Sequence, residues 1–341
     1  MVFHSFRLTD DTMAPVWAYV VLAIGIATMS SGGVWFALLV ETPPLMQACW
    51  RLTLTAVLQT FGVLYELRTD PTIMGVAFQL RFIKAIPLVM TIGTALAGYF
   101  GSWGWSVAHT SLVYSLLLVC TTPLILVAVM SLCWLYRQTC RHEDHERVPL
   151  FTKQNSLPSL FEIVVCPKDA KLPTLMEAIG AVVGCLGVVA LLATSNQDNS
   201  QHATLAGNVA ALCGALVLVI YIEGSATCRS WMPLFVYSLA VTASAALELG
   251  VVWLLLEPST TVWGVGPTAL FGFVGDLNRF GLVFGAAFIA GFFGHACDNV
   301  AVVHVRPLVI SVAVLWEPLI GGVVGVQVHL TLWSSLPLSF S

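Results

Sequence analysis

Apolar residues along the chain come in blocks of roughly 20, the length that crosses about 30 Å of hydrocarbon at 1.5 Å per residue. Short polar turns separate the blocks, and the pattern predicts nine helices: 14–40, 45–65, 83–103, 111–136, 174–194, 205–224, 233–256, 281–300 and 306–326. The first block is too long for a signal-peptide core and lacks a convincing cleavage site, so it is expected to be retained as a span behind a polar lead, 1–13. The one long hydrophilic segment, 137–173, mixes charges with prolines and reads as a linker, and a shorter polar link, 195–204, divides the fifth block from the sixth. A tenth block is expected to be missing, because only the 15 residues 327–341 remain, with Pro337 among them.

The second part of the chain copies the first. Phe288 to Gly294 reads FIAGFFG where Ala95 to Gly101 reads ALAGYFG, and EPLI from Glu317 answers TPLI from Thr122. The offsets are 193 and 195 positions, so one register holds across a helix, a connection and a second helix. This is the mark of a duplication, here 14–194 followed by 205–341 with its end incomplete. Five spans per unit is odd, so the second unit is expected to enter the membrane upside down relative to the first.

Composition removes the soluble alternative: 58% of the 341 residues are hydrophobic and 9% are charged, too apolar for a core in water. The reading is an all-α polytopic membrane protein. Net charge is −4 and the basic residues are gathered by loop, with no stripe for nucleic acid. With the N-terminus and 137–173 cytoplasmic, twelve Lys and Arg fall inside or at inner helix ends, Arg279 alone falls outside, and Arg51 lies within a span. Which membrane carries the chain is not encoded. The nine cysteines contain no CxxC, so most are expected to be small packing residues.

Candidate chemistry is confined to a few polar positions in the spans. Arg51 is costly in hydrocarbon and needs a partner, for which Glu248 and Glu317 are the candidates, forming an anion or carboxylate site gated by an ion pair. The competing reading of Arg51 is snorkelling with a structural ion pair. Glu317 sits near the middle of its span, where a carboxyl is protonatable and could couple flux to protons; the competing reading is a protonated acid that merely bonds a neighbouring helix. Pro123 frees the carbonyl of Val119 and Pro318 frees that of Val314, so both are expected to kink their helices. Trp35, Tyr99, Trp103, Tyr114, Tyr221 and Trp316 are candidates to line a pocket, though aromatic residues in membrane helices more often anchor or pack. Asp298 and Asn299 close the eighth span, either as a gate with Arg306 or as caps. Gly180, Gly184 and Gly187 form a strip for helix packing, and glycine-rich helices are a candidate surface for a homodimer. Cys140, His142 and His145 supply too few ligands in too mobile a segment to predict a metal. The chain has no GxxxxGK[ST], HExxH or GxSxG, so neither ATP coupling nor an enzyme is read from it, and no cofactor is expected.

The SSGGVWF run in the first span, PPLMQACWRLTLT at the second, SLLLVCTTPLILV in the fourth, the glycine strip of the fifth and RPLVISVAVLWEPLIGG in the ninth together resemble the EamA-like branch of the drug/metabolite transporter superfamily. The likeness runs from Ala14 to about Val326 and rests on order and spacing, since each motif is short and apolar. It implies a ten-helix carrier of two inverted five-helix repeats that moves small polar or amphipathic metabolites by alternating access. The long linker and the missing tenth span depart from that pattern. The substrate class, then, is a small-molecule metabolite, with protons as a candidate co-substrate and export as the expected direction. Two alternatives stand beside it: a non-transporting scaffold or regulatory protein on the same fold, and an organic-phosphate or nucleotide-sugar exchanger, which would want more deep basic residues than Arg51.

Overall fold

The computed structural model describes residues 14–39, 41–110, 112–144, 172–194, 204–256, 261–321 and 323–324. Their helices are α1 (Val16–Met29), α2 (Gly32–Leu38), α3 (Pro44–Thr69), α4 (Val76–His109), α5 (Leu112–Val119), α6 (Thr122–Asp144), α7 (Leu175–Thr194), α8 (Leu205–Arg229), α9 (Leu234–Leu256), α10 (Leu277–Gly285), a π-helical segment (Ala286–Gly294), α11 (His295–Ala301) and α12 (Pro307–Val314). No strand occurs among the described residues, and six of their helices are long and apolar enough to cross a membrane. The chain is an all-α, multi-pass membrane protein. The greater part of the 137–173 linker, the 195–203 link and the expected absence of a tenth span after 326 lie outside the described residues.

Nine apolar blocks became more than nine helices because three of them break. The first breaks at Ser30 and Ser31, whose hydroxyls donate to the carbonyls of Ile26 and Thr28 at 2.6 and 2.7 Å and so compete with the helical ladder. The fourth breaks at Cys120–Thr121, just before Pro123, and the ninth at Leu315–Trp316, just before Pro318. The two proline breaks share one backbone pattern. Thr121 N–H donates to Leu118 and Ile125 N–H to Thr121, while Trp316 donates to Ala313 and Ile320 to Trp316, each pair displaced by the offset of the EPLI/TPLI match. A repeated sequence has therefore kept a repeated local geometry.

The bundle is organised on α3, α4, α8 and α9, where α4 packs along α8 and α9 along α3. Its core holds Met46, Trp50, Ile92, Leu96, Tyr237, Val241, Ala245, Leu249 and Trp253, all close to fully buried. Small residues set the spacing: a Cβ on Gly93 would fall 1.8 Å from the Ser244 hydroxyl, so the backbone of α4 lies directly on the small side chain of Ser244 in α9. A second cluster joins α1 to α11 and α12 through Leu22, Ile26, Ala301, Val302 and Ile310. The expected glycine strip of α7 is a correction. Only Gly184 receives a neighbour, Leu315, whereas a Cβ on Gly180 or Gly187 would meet nothing within 4 Å.

Polar contacts fasten the helix ends. At one end of the bundle the Glu66 carboxylate accepts the N–H groups of Phe235 and Val236 at 3.0 Å, capping α9 from α3 where the first turn has no intrahelical partners. Arg229 reaches from α8 to the carbonyls of Asn299, at 3.0 Å, and Met232. Thr174 and Glu177 form a capping box on α7, and Glu177 also accepts from Arg306 at 2.8 Å. Segment 261–276 is held by Trp50, whose indole N–H donates to Leu270 at 2.8 Å, and by Arg279, which donates to Gly272 at 2.9 Å.

Candidate functional site

Helix α3 is polar on the inside. Gln47, Arg51, Thr55 and Gln59 recur every four residues, the spacing that puts them on one face, and all four are buried. The opposite face carries Val57, Phe61, Leu64 and Tyr65, all exposed. In water such a helix would be inside out; in a bilayer it presents hydrocarbon to lipid and polar groups to the protein interior. At 26 residues α3 is long enough to span, although the stripe lowers its mean hydropathy below that of the six most apolar helices.

The stripe is only partly satisfied by the protein. Gln47 donates to the carbonyls of Leu39 and Thr42 at 2.9 and 2.7 Å, and Thr55 donates to Ala287, inside the π segment, at 3.2 Å. Arg51 is 5% exposed and lies over the Phe100 ring at 5.0 Å, a cation–π contact. Gly32 makes room for it, since a Cβ there would stand 3.1 Å from the guanidinium Nη1. The other edge of Phe100 meets the His295 ring at 6.4 Å. Arg51 thus stands among α2, α4 and α11, within electrostatic reach of Tyr99, His295 and Glu317.

Helix α11 follows directly on the π segment, and the wider turn sets where its polar face points. His295 and Asp298, three residues apart, lie on adjoining positions of that face. Asp298 packs on α1, where a Cβ on Gly25 would approach its Oδ1 to 3.0 Å. Glu317 opens the helical turn after the break at Leu315–Trp316 and interacts electrostatically with Asp298, Arg51, Tyr99 and Cys120. Residues from the N-terminal and C-terminal parts of the chain therefore converge on one polar centre. Arg51 and Tyr99 come from the first part; His295, Asp298 and Glu317 come from the second.

Several expectations need correction. Glu248 does not meet Arg51: it accepts from Thr94 at 3.1 Å in a separate groove between α4 and α9. Nor does an ion pair within 4 Å join Arg51 to Glu317 among the described residues, so the two share a centre without a direct bridge. Trp316 is 60% exposed and faces outward instead of lining a pocket. Asp298 and Asn299 form no gate with Arg306, which is bound to Glu177; Asn299 is buried, donating to Ser238 at 3.3 Å and accepting from Arg229. Trp35 donates to Ser31 at 3.1 Å and its ring covers Gly285, a packing contact. Trp103 rests on Phe36 at 5.7 Å, whereas Tyr221 lies within reach of Asp298 and Asn299 at the edge of the polar centre. The side chain of Tyr114 lies outside the described residues, as do those of Cys140, His142 and His145. Among the described residues no group of His, Cys, Asp and Glu could hold a metal ion.

Pro123 and Pro318 both stand directly after helix breaks, as expected, but the two freed carbonyls are treated differently. The Thr122 hydroxyl donates to Val119 at 2.7 Å, so the first break satisfies itself. Glu317, at the matching position, makes no such use of its side chain: its Oε1 is buried without a hydrogen-bond partner among the described residues. The same holds for Arg51 Nε, His295 Nε2, Asp298 Oδ1 and Gln59 Oε1. Ser106 Oγ, Ser115 Oγ and Trp253 Nε1 are unpaired as well, eight atoms among the described residues, of which four belong to the polar centre; buried polar atoms are seldom left so, since each costs about 1–3 kcal/mol.

No protein-family model and no curated protein matches this chain. Among solved structures it is similar to one described only as "Crystal structure of protein", with a TM-score of 0.62 and 14% identity over 92% of this chain and 88% of that one. The likeness is one of fold.

Proposed function

We propose that the protein is a secondary transporter that carries small polar or amphipathic metabolites by alternating access, through a chamber between two inverted repeats of the EamA-like kind. The observation that carries the reading is the set of unpaired buried atoms on Arg51, His295, Asp298 and Glu317, contributed by three separate stretches of chain: α3, α11 and the turn after the break at 315–316. A structural core would have paired those groups or replaced them with apolar ones, because unpaired charge in low dielectric is expensive. A chamber that fills with water and then with solute supplies the missing partners in turn. One cation beside two acids and an imidazole suits a solute bearing both an amine and an anionic or carbonyl group. Only one guanidinium is present, which disfavours a phosphate or nucleotide-sugar substrate. The pair of acids, Asp298 and Glu317, is the natural place for a coupling proton. In this reading the N-terminus and the 137–173 linker are cytoplasmic and net movement is outward.

The test is flux in proteoliposomes against a panel of labelled amino acids, amines, nucleobases and sugars. Uptake of at least one compound by the native chain, lost in Arg51→Ala and Glu317→Gln with the fold intact, is expected. Absence of flux across the whole panel by folded protein would favour the scaffold reading.

A further inference from the structure

Outside the polar centre lies a second carboxylate in the apolar zone, and its surroundings are of another kind. Glu248 borders a groove of about 320 Å³ between α4 and α9, the lower end of the range for small-ligand pockets. The walls are Ala97, Leu249, Val252 and Leu256, with Trp105 closing one side. Gly98 and Gly101 line it from α4, a Cβ on the first meeting Val217 at 3.6 Å and on the second Leu249 at 3.2 Å, so the helices close tightly beside the groove. Thr94 donates to Glu248 Oε1 at 3.1 Å, and Ser102 is the remaining polar lining residue. No Lys, Arg or His lines the groove, and Glu248 has no ion pair among the described residues. The flanking Leu247 and Leu255 are 73% and 79% exposed, which places the groove on the face turned to lipid.

We propose that this groove is a lateral binding site for a compact hydrophobic amine, with Glu248 as its counter-ion. A carboxylate among apolar walls lacks a cation to complete it, and the complementary solute is one with an ammonium group on an apolar ring or short chain. The Thr94 hydroxyl holds the carboxylate by one oxygen and leaves the other for the ammonium. The Trp105 ring, stacked on His109 at 3.9 Å, gives the groove an aromatic wall that suits a flat ring. Such a site loads from the bilayer, where hydrophobic amines concentrate, and does not depend on the transport proposed for the polar centre.

The experiment compares two probes of nearly one shape, 1-naphthylmethylamine and the neutral 1-naphthalenemethanol, titrated calorimetrically into the full chain in detergent, with empty micelles as the blank. Native protein is expected to prefer the amine by about tenfold, the scale of one well-placed charge contact. Glu248→Gln should erase that preference, Thr94→Val should weaken it, and Glu317→Gln should leave it in place. Equal binding of the two probes to native protein would overturn the proposal. So would a preference that survives Glu248→Gln but disappears in Glu317→Gln, which would locate amine binding in the polar centre. A Glu248→Gln protein that does not fold is replaced by Ala97→Trp, which fills the groove while retaining the carboxylate and should likewise abolish amine binding.

Discussion

The helix breaks at 120–121 and 315–316 have the same backbone hydrogen bonds at the same spacing, followed in each case by a proline, yet they do different things. At the first, Thr122 turns its hydroxyl back on the freed carbonyl of Val119, and the polar groups of the break are closed among themselves. At the second, Glu317 stands where the threonine does, and its carboxyl remains unspent beside Arg51 and Asp298. The comparison separates geometry from chemistry. The two openings in the helical ladder are alike, and one side-chain difference leaves a buried, unpaired polar group at only one of them. An ionised carboxylate has no proton to donate to a carbonyl and so cannot copy the threonine's role.

The largest effect should come from removing the difference. Glu317→Gln is expected to lower flux at least tenfold, about 1.4 kcal/mol of barrier, with the melting temperature unchanged or raised, since an unpaired buried acid stabilises nothing. Flux assays and thermal melts on one preparation decide it, and a fully active variant would make the two breaks equivalent. Next is the water access that the second opening implies. In a cysteine-depleted background, Thr55→Cys on the inner stripe should react with a membrane-impermeant methanethiosulfonate at least about tenfold faster than Val57→Cys, two residues away on the exposed face. Similar rates would show that the stripe is dry.

The self-satisfied break is tested through stability. Thr122→Val leaves the Val119 carbonyl without its hydroxyl and should cost about 1 kcal/mol in thermal or denaturant unfolding, with little effect on flux. A smaller functional effect is expected from Gly32→Ala, whose methyl group would stand 3.1 Å from Arg51 Nη1 and push the guanidinium aside; roughly threefold slower flux is the expected reading. The smallest is a pH effect in the turn between α11 and α12. His304, against the Trp17 ring at 4.7 Å, is held below its ordinary value by burial and then by the nearby positive charge of Arg229. Its neutral form is therefore favoured in the fold, and that contribution is present above the unfolded value of about 6.5 and lost as pH falls through it. His304→Gln should show a shallower drop in melting temperature between pH 7.5 and 5 than the native chain.

Legibility in the sequence followed the physics of each element. Long apolar blocks such as 205–224 and 233–256 came out as helices because hydrocarbon leaves a backbone no other way to pair its polar groups. The EPLI/TPLI match foretold the paired breaks at Pro123 and Pro318, although a proline alone does not dictate one, since Pro87 is carried inside the unbroken α4. Arg51 and Glu317 were recognisable as costly. Their surroundings were not, because Glu248 looked as good a partner as Glu317 until α4 and α9 were seen to hold it apart. His295 gave no signal of its own in the sequence, although the four-residue rhythm of Gln47, Arg51, Thr55 and Gln59 could have flagged the inner face that it joins.

By itself, then, the sequence determined that this chain crosses a bilayer many times and where two of its helices break ahead of a proline. These are local properties, set by hydropathy and by proline. Only the tertiary structure decided that Arg51 lies on Phe100 and near His295, that Trp316 points outward, and that Asp298 and Glu317 belong to one centre while Glu248 belongs to another. Those outcomes depend on how helices rotate about their axes when glycines such as Gly32 and Gly93 let them close, a choice that no single segment can make alone.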